Sequence, residues 1–387
     1  MARIAIFCDG TWDTPKMPQP THVVRLWGKT PNTNAQHTHY FEGVGTGDDT
    51  PGFVEKIAMK VGGGLFGWGL NDHIKAAYTT LCEQYEAGDE IFIFGFSRGA
   101  YTARSLTGMI RKCGIVADPT AANVDKAFDL YRSRGHAHRP DTLRTLSARR
   151  SLSPHAATSQ QDLEWRMAHP WDDGGNHHKV QIAYVGVWDT VGALGLPEPI
   201  LGQIATLWNK KFRFHDTSLT SLVSAARHAV ALDERRIFYK PSLWTNLEDT
   251  EQGPGLNQGD TSDTRPYQQL WFVGNHAILG GATAKSRGLT EDTLEWIAAG
   301  AQQAGLEIDM QTLLDATPDP LSNSAELTRV PWLYTVAGHL LKWRSGPEHP
   351  IALSASAAAR IKGRRDYRPK SLLRLMPELF GNAPKED

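Results

Sequence analysis

Glu90-Ile91-Phe92-Ile93-Phe94-Gly95-Phe96-Ser97-Arg98-Gly99-Ala100-Tyr101-Thr102-Ala103-Arg104 is the stretch on which the fold turns. Residues 90–94 are β-branched and aromatic, as a buried strand requires. Residues 98–113 follow a helical pattern. Between them lies G-x-S-x-G, in strand–turn–helix context. That context lifts a serine hydroxyl to the C-terminal edge of a sheet. The turn is sharp and strained, so small residues must flank it for strand and helix to pass closely. At the helix start, the Arg98 N–H points toward where an oxyanion would form, and the helix dipole assists it. A bare G-x-S-x-G also arises as a structural turn. Its flanks here make Ser97 the candidate nucleophile.

Outward from this core, short apolar runs predict strands at 3–7, 38–42, 180–188 and 269–273. Helical patterns are read at 54–61, 70–86, 217–232 and 290–304. In the second of these, Leu70, Ile74, Ala77, Tyr78, Leu81 and Tyr85 share one face. Strands alternating with helices imply an α/β chain with a mainly parallel sheet covered on both faces. Residues 134–178 carry Arg134, Arg139, Arg144, Arg149, Arg150 and six histidines, with few apolar runs. They read as an insertion into a single domain spanning 1–387, either a cap or lid or a solvated excursion.

Composition removes several function classes. The chain has 387 residues, with 41 Lys and Arg against 42 Asp and Glu. A net charge of −1 argues against a nucleic-acid binder. Cys8, Cys82 and Cys113 form neither a disulfide framework nor a zinc spacing. The first apolar run is too short for a signal peptide, so cytoplasmic synthesis is expected, and any export would be signal-peptide-independent. No stretch approaches 18 uninterrupted apolar residues. Gly62-Gly63-Gly64-Leu65-Phe66-Gly67-Trp68-Gly69 lacks the Lys-Ser/Thr of a phosphate loop. Its Leu65, Phe66 and Trp68 read either as an apolar substrate rim or as core. The pairs His37/His39, His136/His138 and His177/His178 have no matching third ligand at zinc spacing, so neither a metal nor a cofactor is expected.

A serine nucleophile needs a base, and the base needs an orienting acid. In α/β-hydrolases the chain order is Ser, acid, His. Asp189 ends the run 180–188, and His276 stands just past the run 269–273. Asp233, in a charged stretch read as helical, is the alternative acid. A second oxyanion donor is expected after the first strand, from the N–H of Gly10 or Thr11. The Asp9 carboxylate is read as holding that loop.

Six blocks together resemble a known family. They are Phe7-Cys8-Asp9-Gly10-Thr11-Trp12, Gly43-Val44-Gly45-Thr46-Gly47, Gly95 to Arg104, Val187 to Gly192, Arg227 to Arg236, and Trp271 to His276, with a weaker echo at Tyr367-Arg368-Pro369. The chain resembles the α/β-hydrolase family that supplies the catalytic domain of type VI secretion phospholipase effectors. The resemblance implies an α/β-hydrolase fold, esterase or phospholipase chemistry, and a Ser-Asp-His triad mapping onto Ser97, Asp189 and His276. The implied partner is a lipid or small ester substrate, with transient contact to a membrane surface. Where the family carries His-x-Asp-Val-Gly-Gly-Gly, this chain reads His276-Ala277-Ile278-Leu279-Gly280-Gly281-Ala282. Ile278 thus replaces an acid, which implies altered specificity or rate. The extra membrane-binding module of the larger effectors is expected to be absent or small. Two alternatives stay open: a carboxylesterase for small soluble esters, and a non-catalytic binding protein that retains the fold.

Overall fold

The structure, a computed structural model, describes residues 1–10, 13, 15, 17–43, 69–171, 175–192, 217–251, 253–330, 334 and 340–380. Six strands form one sheet: β1 (Arg3–Cys8), β2 (Gln36–Phe41), β3 (Glu90–Phe96), β4 (Gln181–Trp188), β5 (Val223–Ala231) and β6 (Tyr267–Phe272). Their order is β2-β1-β3-β4-β5-β6, and every adjacent pair is parallel.

Alternating side chains of these strands feed two cores, as the period of two demands. Ile4, Ile6, Ile91 and Ile93 pack on one face with α2 (Leu70–Gln84) and α3 (Arg98–Cys113). Ala5, Phe7, Phe92 and Phe94 pack on the other with α1 (His22–Gly28) and α8 (Arg287–Gln303). A third cluster joins Trp271 and Val273 of the sheet edge to Ala357 and Ile361 of α9 (Ala355–Gly363). No helix among the described residues is long and apolar enough to cross a membrane.

The expected strands at 3–7, 38–42, 90–94, 180–188 and 269–273 are present, as are the helices near 70–86, 98–113 and 290–304. The helix read at 54–61 lies outside the described residues. The helix read at 217–232 is corrected: Val223–Ala231 is strand β5, between β4 and β6. A central parallel strand is covered on both faces, so its apolar residues run nearly continuously and mimic a buried helix. Its alanines favour helix locally, and sheet packing overrides them.

The segment 134–178 follows α4 (Ala121–Arg132) and contains α5 (Leu143–Leu152) and α6 (Gln160–Ala168) around a polar core. Arg149 and Arg166 are fully buried and both engage Asp162, at 2.9 Å each. Anchoring bonds fall on the C-terminal end of α3: Arg111 donates to Asp141 at 2.5 Å, and Ile115 N–H to Ser153 Oγ at 3.0 Å. Ser97 caps the opposite end of α3, about 24 Å away for sixteen residues. These contacts dock the segment against the C-terminal end of α3. One carboxylate between two buried guanidiniums makes a clear expectation. Asp162→Ala should lower stability by about 3–5 kcal/mol in a denaturant melt, because two buried cations lose their counter-charge. A melt like that of the parent would overturn this reading.

Candidate active site

Four successive strands of the sheet end in the residues of interest. Ser97 follows β3, Asp189 follows β4, Asp233 and Glu234 follow β5, and His276 opens the short helix α7 (His276–Leu279) after β6. Carboxyl ends of parallel strands are where open α/β sheets place their ligands. Strand register sets the spacing: Phe96 pairs with Trp188, and Ser97 N–H donates to Trp188 O at 3.0 Å. Asp189 N–H donates in turn to Ala229 O at 2.7 Å.

Ser97 adopts φ 57° and ψ −116°, and Asp189 has φ 39°. Positive φ in non-glycine residues costs energy and clusters where function demands a geometry. The flanking glycines are required by close approach. A Cβ on Gly99 would be driven into the carbonyls of Cys8 and Asp9, and one on Gly95 into the backbone of Gly99. Gly99→Ala should therefore destabilise the fold by about 3 kcal/mol or more, since the obstructing atoms are backbone. Unchanged denaturant stability would refute that packing argument.

The structure brings the three predicted residues together. His276 Nε2 lies 2.8 Å from Ser97 Oγ, and His276 Nδ1 lies 2.6 Å from Asp189 Oδ2. Ser97 and His276 are 5% and 6% exposed and Asp189 is fully buried, so the hydrogen bonds form largely out of water. Burial pushes the Asp189 carboxyl up, but the Arg344 charge and bonds from His276 and Arg344 hold it far below the usual range. An ionised Asp189 only accepts, so His276 Nδ1 carries the proton and Nε2 is left to accept from the Ser97 hydroxyl. Burial lowers the His276 pKa against the pull of Asp189, which favours the neutral imidazole that a base needs. Phe96 and Tyr239 flank the imidazole, each with its ring centroid 4.7 Å away.

Asp233 does not face the imidazole. Its Oδ2 accepts from Gly274 N–H and Tyr367 Oη–H, both at 2.8 Å, so it braces the loop before His276. Burial raises it to about 6. The charged stretch around it is the end of a strand and its turn rather than a helix. Glu234 Oε2 accepts from His276 N–H at 3.2 Å and pairs with Arg236 at 2.7 Å. Ile278 is fully buried in the third cluster. The position where the resemblance implies an acid is thus core in this chain.

Asp9 has the structural role expected of it. Its carboxylate accepts from Gly10 N–H at 2.8 Å, from Thr21 Oγ–H at 2.8 Å and from Tyr40 Oη–H at 2.7 Å. The Gly10 N–H, expected as an oxyanion donor, is engaged by Asp9 in this arrangement. Thr11, Leu65, Phe66 and Trp68 lie outside the described residues. Among the described residues, no group of three or more His, Cys, Asp or Glu is placed to hold a metal. A cavity of about 450 Å³ lies along α3, with Arg104, Arg111, Lys112 and Trp244 in its lining. It does not include Ser97.

Sequence reasoning missed Arg344. Its Nη1 donates to Asp189 Oδ1 at 2.6 Å and its Nη2 to Asp189 Oδ2 at 2.9 Å. The partners are 155 residues apart, and no local pattern marks either for the other.

Comparison with known proteins gives this site a setting. Residues 2–300 match the family model described as T6SS, Phospholipase effector Tle1-like, catalytic domain. An uncharacterized protein of Saccharomyces cerevisiae, YEL023C, is 28% identical over 239 residues, which are 59% of this chain and 31% of that protein. Among solved structures, an uncharacterized protein from Pseudomonas aeruginosa aligns at 15% identity and TM-score 0.43, covering 81% of this chain and 48% of its own. The Tle1 effector bound to the VgrG spike of the type 6 secretion system aligns at 14% identity and TM-score 0.36, covering 73% and 51%. The chain spans under a third of the yeast protein and about half of each solved chain. By the match that covers residues 2–300, the chain belongs to the family of T6SS Tle1-like phospholipase effector catalytic domains.

Proposed function

We propose that this protein is a serine ester hydrolase of the α/β-hydrolase type, acting on lipid esters and on phospholipids first. The observation that carries the chemistry is the relay Ser97 Oγ–His276–Asp189, with links of 2.8 and 2.6 Å at a strained strand–helix turn. Family membership supplies the lipid class.

In this reading Ser97 Oγ attacks the acyl carbonyl carbon while its proton passes to His276 Nε2. The carbonyl oxygen becomes an oxyanion, met by the Arg98 backbone N–H at the start of α3. Collapse breaks the ester C–O bond, and the leaving alcohol takes the proton from His276. Water then gives its proton to Nε2 and attacks the acyl-enzyme, which releases the acid and restores Ser97. Asp189 holds the Nδ1–H tautomer throughout and stabilises the transient imidazolium.

Fluorophosphonate labelling of the parent beside Ser97→Ala tests the reading, followed by esters of rising acyl length. Labelling lost in Ser97→Ala supports a serine hydrolase. A long-chain preference activated at an interface supports a lipase, and a short-chain preference would mean a carboxylesterase. A well-folded parent that takes no label would sink the catalytic reading.

A further inference from the structure

We propose that Arg344, from a segment beyond the family-matched residues, is the positioning residue for Asp189 and opposes protonation of His276. This deepens the hydrolase reading and rests on it. The geometry carries it. One guanidinium holds both oxygens of Asp189, at 2.6 and 2.9 Å. The same group donates to Ala231 O at 3.0 Å, at the end of β5, and to Tyr239 O at 2.5 Å. It therefore ties Asp189 to the neighbouring strand and to the residue whose ring lies against His276. Its segment is itself fastened to the turn after β5, where Lys342 N–H donates to Arg235 O at 2.6 Å. Arg344 is 9% exposed and Asp189 fully buried, so little solvent screens the pair.

A planar fork meets a carboxylate in one orientation only. With Oδ2 shared between Arg344 and His276, the carboxylate cannot rotate away from Nδ1. Two effects follow. Orientation of the imidazole is sharpened, and a positive charge behind Asp189 weakens that carboxylate's pull on the ring proton. Other charged or titratable groups face this centre. Glu234 lies at the His276 backbone N–H, Arg236 pairs with it, and Tyr239 lies across the ring. His228 Nε2 accepts from Thr190 N–H at 3.2 Å, and burial lowers its pKa to about 3. Of the cations, Arg344 alone touches Asp189 among the described residues. Arg236, paired with Glu234, also opposes the charge on His276.

The test uses the full chain and one soluble short-chain ester, with kcat and KM measured against pH for the parent, Arg344→Gln and Arg344→Lys. Arg344→Gln should lower kcat by about 10–100-fold through misplacement of the base, with KM within about twofold. The acid limb of its profile should move up by about one unit, because a like charge near the imidazolium is gone. Arg344→Lys should return the limb to the parental position while kcat stays reduced, since an ammonium cannot hold both oxygens. An unmoved acid limb in Arg344→Gln, or full kcat in Arg344→Lys, would overturn the proposal. If Arg344→Gln does not fold, the Arg344→Lys result decides. The His276 ring titration followed by ¹⁵N NMR keeps the two readings apart. A parent without Ser97-dependent turnover defeats the hydrolase, yet Arg344→Gln should still raise the His276 midpoint. An unshifted midpoint defeats the role of Arg344 alone.

Discussion

Ser97→Gly is expected to give a protein that is more stable than the parent and has lost its activity. At φ 57° and ψ −116°, Ser97 occupies a region that glycine enters without cost and other residues enter under strain. Relief of that strain is worth about 1–3 kcal/mol. The lost hydroxyl sacrifices one hydrogen bond to His276, about 1 kcal/mol. The balance favours the variant in a denaturant melt. Turnover should fall at least about 10⁴-fold, because the nucleophile is gone and only binding and the oxyanion donor remain. A variant that is less stable than the parent would show that the turn is not strained. Retained turnover would remove Ser97 from the mechanism. Under the proposed reading, strain held at Ser97 and released by its removal is the trade between stability and activity expected of an active site.

Asp189→Ala is expected to damage both properties at once. The carboxylate is fully buried and accepts from Arg344, His276 and Ala231 N–H. Its removal leaves the Arg344 guanidinium without a counter-charge, at a cost of about 3–5 kcal/mol. Asp189→Asn retains the shape and loses the charge, so its activity should also fall, by about 10⁴-fold, as the imidazole loses its tautomer. The pH dependence has a definite sign. The folded-state pKa of Asp189 is depressed, so its contribution to stability is present in full above the unfolded carboxyl value of about 4. It is lost as pH falls below that value toward the folded one. Parent and Asp189→Asn should therefore differ most in melting temperature near neutrality and converge in strong acid. A gap that widens on acidification would contradict the ionised, Arg344-bound Asp189.

Much of the site was legible because its markers are local. A serine between two glycines, after a β-rich run and before a helix, needs no distant partner to be noticed. Asp189 and His276 are each marked by a position just past an apolar strand. The misread strand β5 shows the limit of such reasoning. Apolar density tells that Val223–Ala231 is buried, but burial on both faces erases the period that separates strand from helix. The charged stretch that holds Asp233 and Glu234 reads as helical for the same reason. Once β5 is a strand, they fall at the carboxyl edge, behind His276.

By itself, then, the sequence determined the parallel α/β class, the strained turn at Ser97 and the candidate trio Ser97, Asp189 and His276. These follow from short-range periodicity and turn chemistry. Only the tertiary structure decided that Arg344 grips Asp189, that Asp9 takes up the Gly10 N–H, and that Ile278 is core. Each depends on which side chains meet after the sheet has assembled. The meeting of Arg344 and Asp189 is set by burial and charge pairing across 155 residues, a separation over which no local pattern carries information.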